Sequence, residues 1–207
     1  MLSAVCALVI APAAVDLREY FPIEQGTTWD YIEIVGEGES RYRSEAGKPY
    51  DLDGQMVYPI ITKQHGRSIG ISYYDINSDS IHIIASGYNP SPSPPVPVLM
   101  NPEYREKWKY EGLSNATGAI GEMELEGKGK VLKSVKWNGK TYEGIEIRLD
   151  ATTVEQVSAS TGAKTKTEQV STYAKGIGLI EMKSTTKIGK ETYRSTIKLD
   201  KFKPVEN

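Results

Sequence analysis

The chain is poor in the residues that most metal sites and disulfide scaffolds need. Its 207 residues contain one cysteine, Cys6, and two histidines, His65 and His82. A single cysteine excludes an intramolecular disulfide framework and a cysteine-based zinc site. Two histidines do not supply a histidine-rich metal centre. After residue 15 no apolar run reaches the length of about 20 residues that spans a bilayer, so no transmembrane segment is expected.

The charged residues are nearly balanced in sign, with 25 Lys plus Arg against 27 Asp plus Glu, and 39% of the chain is hydrophobic. This composition is typical of a folded, soluble protein with one sizeable core. The charge is uneven, because residues 14–126 contain 9 basic and 18 acidic residues whereas 127–207 contain 16 and 9. Ordinary mixed-sign surfaces explain this distribution, and a lysine-rich contact surface for an anionic partner is the alternative. Nucleic acid is not an expected partner, because no nucleic-acid motif accompanies the lysines.

The first 13 residues have the pattern of a secretory signal peptide. An uncharged apolar stretch ends in the small-x-small triplet Ala11-Pro12-Ala13, although no basic residue precedes it,. We therefore predict cleavage after residue 13, loss of Cys6, and export to the periplasm or the cell exterior. The mature chain, 14–207, is expected to form a single β domain. A buried N-terminal strand or helix is the alternative interpretation of the stretch.

Short runs rich in Val, Ile, Thr and Tyr, separated by Gly and Pro, predict an all-β protein. Ile145, Ile147 and Leu149 alternate with charged residues, which indicates a half-buried strand. Asn138-Gly139 predicts the tight turn of a long antiparallel hairpin. The predicted strands are 27–35, 55–64, 67–75, 79–86, 105–111, 119–126, 129–137, 140–157, 164–174, 178–188 and 190–202, and short helices are predicted at 16–20 and 102–107.

A proline-rich segment, 89–97, divides the β domain into two halves. It has five prolines in nine residues, and proline lacks the N–H that a central strand or a helix needs. We expect an extended polyproline conformation that acts as a stiff connector laid across the sheet. A docking segment for an aromatic-lined groove is the alternative.

A Trp-x-Tyr pattern occurs twice, as Trp29-x-Tyr31 and as Trp108-x-Tyr110. Residues at i and i+2 of a strand lie on the same face. Large aromatic side chains at that spacing are typical of a buried core. We expect all four residues to be buried anchors.

Two longer motifs resemble those of exported bacterial domains of unknown function, some of which carry the pilus-assembly label TapB. They are Tyr20-Phe21-Pro22-Ile23-x-x-Gly26-x-x-Trp29-x-Tyr31 and the segment 173–180, Tyr-Ala-Lys-Gly-Ile-Gly-Leu-Ile. The resemblance covers about residues 18–202 and implies a strongly curved antiparallel sheet, similar to the half-barrel of Lol-type lipoprotein carriers. It implies no catalytic residue. Independently of it, Gly176 and Gly178 permit a bulge or tight bend that would curve a sheet.

Motifs with a defined chemistry are missing. The segment 75–79, Asp-x-Asn-x-Asp, begins like a calcium-binding loop, but Ser80 and Ser86 occupy positions where such a loop needs Gly and Glu. We predict a polar turn there. Neither His65 nor His82 has the spacing to a serine that a catalytic triad would suggest. The chain has no phosphate-binding loop and no dinucleotide fingerprint, so we predict no enzyme, no metal and no cofactor.

Two classes of function remain open. The first is an exported, non-enzymatic β module that binds an apolar ligand, a lipidated polypeptide or another cell-envelope protein. The alternative is a carbohydrate-binding or carbohydrate-active domain, because 13 Tyr and 3 Trp could stack on sugars and two carboxylates could converge.

The concave face of a strongly curved sheet must be covered, since large exposed apolar patches are rare on soluble monomers. The connector, a second copy of the chain or a ligand could cover it. We predict a groove for an apolar ligand that is not held by charge. The predicted lining is Val131, Val135, Ile145, Ile147 and Leu149 of the long hairpin, with Pro94, Pro95 and Pro97 of the connector.

Overall fold

The computed structural model describes residues 15–88, 90, 94–114, 121–157 and 160–205. The predicted signal peptide at 1–13 lies outside these residues. Within them the chain forms one short 3-10 helix, Leu17–Tyr20, and thirteen strands. The strands are β1 (Thr28–Val35), β2 (Gly38–Ala46), β3 (Tyr50–Leu52), β4 (Gln55–Gln64), β5 (Arg67–Ile76), β6 (Ser80–Ser86), β7 (Val96–Met100), β8 (Lys107–Leu113), β9 (Gly121–Trp137), β10 (Lys140–Val157), β11 (Ser160–Ala174), β12 (Gly178–Ile188) and β13 (Glu191–Lys203).

Twelve of the described strands form one antiparallel sheet in the order β7-β6-β5-β4-β2-β1-β13-β12-β11-β10-β9-β8, and β3 pairs with β4. The first and last strands meet in the middle of this order, where Thr28 of β1 lies opposite Lys203 of β13. The sheet curls into a nearly closed barrel. The predicted all-β class and strongly curved antiparallel sheet are therefore confirmed.

The sequence pattern does not predict β2, β3 or β7. In β2 the residues Ser40, Tyr42 and Ser44 alternate with charged residues, so the strand has little of the apolar alternation that marks a half-buried strand. Its position is set by pairing with β1, in which Tyr31 lies opposite Tyr42. Cross-strand contacts, which the local sequence does not display, decide this element.

The predicted interruption between the strands 119–126 and 129–137 is wrong, because β9 runs from Gly121 to Trp137 without a break. A Cβ atom on Gly127 would lie 2.0 Å from Cε2 of Trp108. A Cβ atom on Gly129 would lie 3.0 Å from Cδ1 of Ile147. Gly127 and Gly129 therefore do not form a turn. They leave room for large side chains that pack closely against the strand.

One of the two predicted helices is wrong. The segment 16–20 contains the 3-10 helix, which the side chain of Asp16 caps. The segment 102–107 forms a turn instead, because the backbone N–H groups of Tyr104 and Arg105 both donate to the carbonyl of Asn101. The strand β8 then begins at Lys107. None of the described residues belongs to a helix that is long and apolar enough to cross a membrane.

The described part of the proline-rich segment leads into an edge strand. Pro94 and Pro95 precede β7, and Pro97 lies within β7 opposite His82 of β6. Because β7 pairs only with β6, it has a free edge where a residue without an N–H is tolerated,. The extended connector is therefore shorter than predicted at its C-terminal end.

The two ends of the sheet are held together by side chains. A core cluster joins Ile81 of β6 and Leu99 of β7 to Trp108 of β8 and Ile147 of β10, and Leu17 of the 3-10 helix packs into it. A separate cluster of Val57, Tyr73, Ile84 and Ala85 packs with Tyr50 and Leu52 of β3. The barrel is therefore completed by apolar packing between its two end regions.

Candidate functional site: an apolar cavity inside the barrel

The two motifs singled out in the sequence meet in space. The indole Nε1 of Trp29 donates a 2.6 Å hydrogen bond to the carbonyl of Ile177, 148 residues away. The hydroxyl of Tyr31 donates to the carbonyl of Leu179 at 3.2 Å. Gly178 has a φ of +101°, and a Cβ atom there would lie 3.2 Å from Nε1 of Trp29. The two motifs therefore form one structural unit that joins β1 to the turn between β11 and β12.

The N-terminal segment 15–26 is bound to two turns of the barrel by hydrogen bonds and an ion pair. The backbone N–H of Leu17 donates to the carbonyl of Ser78 in the β5–β6 turn, and the N–H of Gly176 donates to the carbonyl of Glu19. Lys175 forms an ion pair with Glu19 at 3.0 Å. The segment therefore bridges the β5–β6 turn and the β11–β12 turn.

A cavity of about 320 Å³ lies next to this segment. This volume is at the lower end of the range of small-molecule pockets. The described residues that line it are all uncharged, and most are aromatic or aliphatic. They are Phe21, Pro22, Trp29, Tyr31, Tyr42, Ser44, Ile60, Thr62, Ser72, Tyr74, Ile83, Val98, Gln169, Tyr173, Gly178, Leu179 and Met182.

Strand register explains why these side chains share the inner face of the sheet. Tyr31 lies opposite Tyr42, and Ser44 on the same strand as Tyr42 lies opposite Thr62 of β4. Partners across an antiparallel pair point to the same face, and so do residues two positions apart along a strand. The rings of Tyr31 and Tyr42 have centroids 5.3 Å apart. The curl of the sheet therefore brings these side chains together around the cavity.

Burial makes the tyrosines of the cavity harder to ionise. It raises the pKa of Tyr74 to about 12 and raises the pKa of Tyr31 and of Tyr173 well above the ordinary value. Burial also raises the pKa of Tyr42, with a further contribution from the carboxylate of Glu33. These hydroxyls remain neutral groups at physiological pH.

Alkaline pH should destabilise the protein partly through Tyr74. Its folded pKa of about 12 exceeds the unfolded value of about 10, so the stability from this group is complete below about pH 10 and is lost as pH rises towards about 12. We expect Tyr74→Phe to lose less stability over this interval than the parent protein, measured by urea unfolding. The exposed control Tyr104→Phe should follow the parent curve, and a parental slope in Tyr74→Phe would contradict the assignment.

None of the residues predicted to line an apolar groove is among the described lining residues of the cavity. Ile145 and Ile147 are fully buried in the core cluster that joins the ends of the sheet, and Leu149 packs against that cluster. Val135 belongs to a second cluster with Trp29, and Val131 is 45% exposed. Their role in ligand binding stays a prediction.

The predicted prolines of the connector, Pro94, Pro95 and Pro97, are not among the described lining residues either. Pro97 precedes Val98, whose side chain contributes to the wall. Pro94 and Pro95 lie before β7 and are exposed. The structure thus places the end of the connector beside the cavity.

The four aromatic residues of the repeated Trp-x-Tyr pattern have different positions. Trp29 and Tyr31 are buried and line the cavity. Trp108 is buried in the core cluster over Gly127, whereas Tyr110 is half-buried. The first copy of the pattern thus contributes to the cavity and the second to the packing that joins the ends of the sheet.

Sequence reasoning missed the contributions of β2 and of the polar strand positions. Tyr42 and Ser44 come from the strand that was not predicted, and Thr62, Ser72 and Gln169 have no motif of their own. The i, i+2 spacing of Tyr42 and Ser44, opposite the Trp29-x-Tyr31 pattern, is the signal that would have pointed to them.

The polar turn predicted between β5 and β6 is present. The side-chain oxygen of Asn77 accepts hydrogen bonds from the backbone N–H groups of Asp79 and Ser80. Among the described residues no group of three or more His, Cys, Asp or Glu side chains is placed to hold a metal ion. None of the described residues that line the cavity carries a carboxylate.

Fold and site together define an antiparallel β-barrel with an internal apolar cavity. The fold is similar to that of a crystal structure from Parabacteroides distasonis, described as a candidate lipoprotein, with 11% identity, a TM-score of 0.52, and coverage of 93% of this chain and 100% of that chain. A second crystal structure, from Bacteroides fragilis, is described as a candidate exported protein with a YmcC-like fold; it has 10% identity, a TM-score of 0.47 and the same coverage. No protein-family model and no curated protein matches the sequence.

Proposed function

We propose that the protein is an exported, non-enzymatic β module that binds an apolar ligand in the barrel cavity. The observation that supports binding is the cavity itself, whose described lining residues are mainly aromatic and aliphatic and carry no charge. Export is supported by the signal-like stretch at 1–13 and by the similar fold of the Parabacteroides protein described as a candidate lipoprotein.

The size of the cavity favours occupancy. Protein interiors are packed so densely that few voids exceed the size of a water molecule. A volume of about 320 Å³ corresponds to roughly ten water molecules at their share of liquid volume, about 30 Å³ each. An apolar ligand would restore the dispersion contacts that the wall lacks and would remove its apolar surface from water.

Ligand binding can be tested with the neutral fluorophore N-phenyl-1-naphthylamine. We expect saturable binding of one molecule per chain, with increased fluorescence. Ser72→Leu extends a side chain into the cavity and should weaken binding at least about tenfold, since overpacking a confined space displaces its occupant. Ser72 lines the cavity wall.

Ser134→Leu is the matched control, because Ser134 lies in β9 and is exposed. Its affinity for the fluorophore should equal that of the parent protein, and thermal unfolding should show that both variants are folded. Unsaturable fluorescence in the parent protein, or an equal loss of affinity in both variants, would contradict binding in the cavity.

A further inference from the structure

A row of hydroxyl side chains crosses one wall of the cavity. Ser44 of β2 lies opposite Thr62 of β4, and Ser72 of β5 lies opposite Ile60, two residues before Thr62. All three hydroxyl residues line the cavity. Because a hydroxyl both donates and accepts hydrogen bonds, the row can satisfy a polar group of a ligand at an otherwise apolar site.

The cations that neighbour this row in sequence are on the outer face of the sheet. Arg43, next to Ser44, pairs with Asp30 at 2.6 Å. Lys63, next to Thr62, pairs with Glu45. Adjacent residues of a strand point to opposite faces, so neither cation reaches the cavity.

An acidic side chain, that of Glu33, adjoins the cavity on the inner side of the sheet. Glu33 lies two residues after Tyr31 and opposite Ser40, and its carboxylate raises the pKa of Tyr42 in the cavity wall. Glu33 accepts a hydrogen bond from the hydroxyl of Ser40 at 3.5 Å. An anionic head group would therefore meet a like charge there, and none of the described residues that line the cavity is a cation.

Away from the N-terminal segment, the inner face of β11, β12 and β13 carries pairs of hydroxyl side chains. The hydroxyls of Thr167 and Thr186 are 3.2 Å apart, and those of Ser184 and Ser195 are 2.8 Å apart. These pairs join β11 to β12 and β12 to β13. Along β11 and β12 the wall therefore changes from aromatic side chains to hydroxyls.

We infer that the cavity selects an amphiphile with an uncharged polar end, such as a fatty alcohol or ester, and that the row of Ser44, Thr62 and Ser72 binds this end. The inference rests on the proposed function, since it specifies the ligand of the same cavity. Burying an ionised carboxylate or ammonium group is far more unfavourable than burying a hydroxyl that keeps its hydrogen bonds. The aromatic and aliphatic wall accommodates the chain of the ligand.

The test compares three probes with the same ten-carbon chain, namely 1-decanol, decanoate and decylamine, by displacement of N-phenyl-1-naphthylamine at about pH 8, where the carboxyl group is ionised. We expect decanol to bind at least about tenfold more tightly than either charged probe, because a charge loses its hydration in the cavity. At about pH 4 the protonated decanoic acid should approach the affinity of the alcohol. A charged probe that binds as tightly as decanol at pH 8 would overturn the inference.

The role of the hydroxyl row is tested by Thr62→Val, which removes a hydroxyl with little change of shape. The affinity for decanol should fall about fivefold, the effect of one hydrogen bond, while the affinity for N-phenyl-1-naphthylamine is unchanged. Thr185→Val on the opposite face of β12 is the control and should change neither.

The outcomes separate this inference from the proposed function. If N-phenyl-1-naphthylamine does not bind the parent protein, the proposed function fails and the inference fails with it. If the fluorophore binds but decanol is not preferred, or if Thr62→Val leaves the affinity for decanol unchanged, only the inference is overturned.

Discussion

Replacing Trp29 with alanine is expected to lower the free energy of unfolding by about 3–5 kcal/mol, as for other buried tryptophans. Trp29 is 5% exposed, packs in a core cluster with Ile177 and Leu199, and donates its indole N–H to the carbonyl of Ile177. The substitution removes the ring and leaves that carbonyl without its donor. Urea unfolding monitored by circular dichroism measures the change.

Two control variants separate the contributions at this site. Trp29→Phe keeps an aromatic ring but not the N–H, so a smaller loss of about 1–3 kcal/mol is expected from the unsatisfied carbonyl. Tyr104→Ala deletes a ring that is 65% exposed and should change stability by no more than about 0.5 kcal/mol. A loss below about 1 kcal/mol for Trp29→Ala would show that the ring is not a core anchor.

Gly127→Ala is expected to cost about 3 kcal/mol, because it overpacks the core cluster that joins the two ends of the sheet. The new Cβ atom would lie 2.0 Å from Cε2 and 2.3 Å from Nε1 of Trp108, which is only 6% exposed. Trp108 lies directly opposite Gly127, so the ring must leave its position. The loss should appear in urea unfolding, and a blue-shifted tryptophan emission should move towards that of exposed indole.

Gly70→Ala is the matched control for this prediction. Gly70 also lies in a strand, but a Cβ atom there would meet no heavy atom within 4 Å. The variant should therefore differ from the parent protein by no more than about 1 kcal/mol, and a Gly→Ala change in a compatible conformation can even stabilise. Equal losses at Gly127 and Gly70 would attribute the effect to strand propensity instead of the contact with Trp108.

Trp29 and Trp108 stabilise different parts of the barrel. Trp29 joins β1 to the β11–β12 turn and forms part of the cavity wall. Trp108 belongs to the packing between the end regions of the sheet. If the cavity binds an apolar ligand, Trp29→Ala should weaken that binding as well as stability, because the ring contacts the ligand.

Local sequence was sufficient for features that depend on residues close together in the chain. The alternation of Ile145, Ile147 and Leu149 with charged residues predicted a half-buried strand, which is part of β10. Asn138 and Gly139 both have positive φ, 46° and 74°, as the predicted hairpin turn requires. Alternation and turn chemistry express themselves within a few residues, so a single sequence displays them.

The sequence determined that this chain forms a curved, antiparallel all-β sheet. It also predicted Trp29 as a buried anchor and Gly178 as the site of a bulge or tight bend. Only the tertiary structure decided that the first and last strands pair, that Gly127 lies beneath Trp108, and that Tyr42 faces a cavity. The physical reason is the sequence separation of the partners, which reaches 148 residues for the hydrogen bond from Trp29. The packing of the whole sheet decides which residues meet across such distances. A local sequence pattern does not display these long-range contacts.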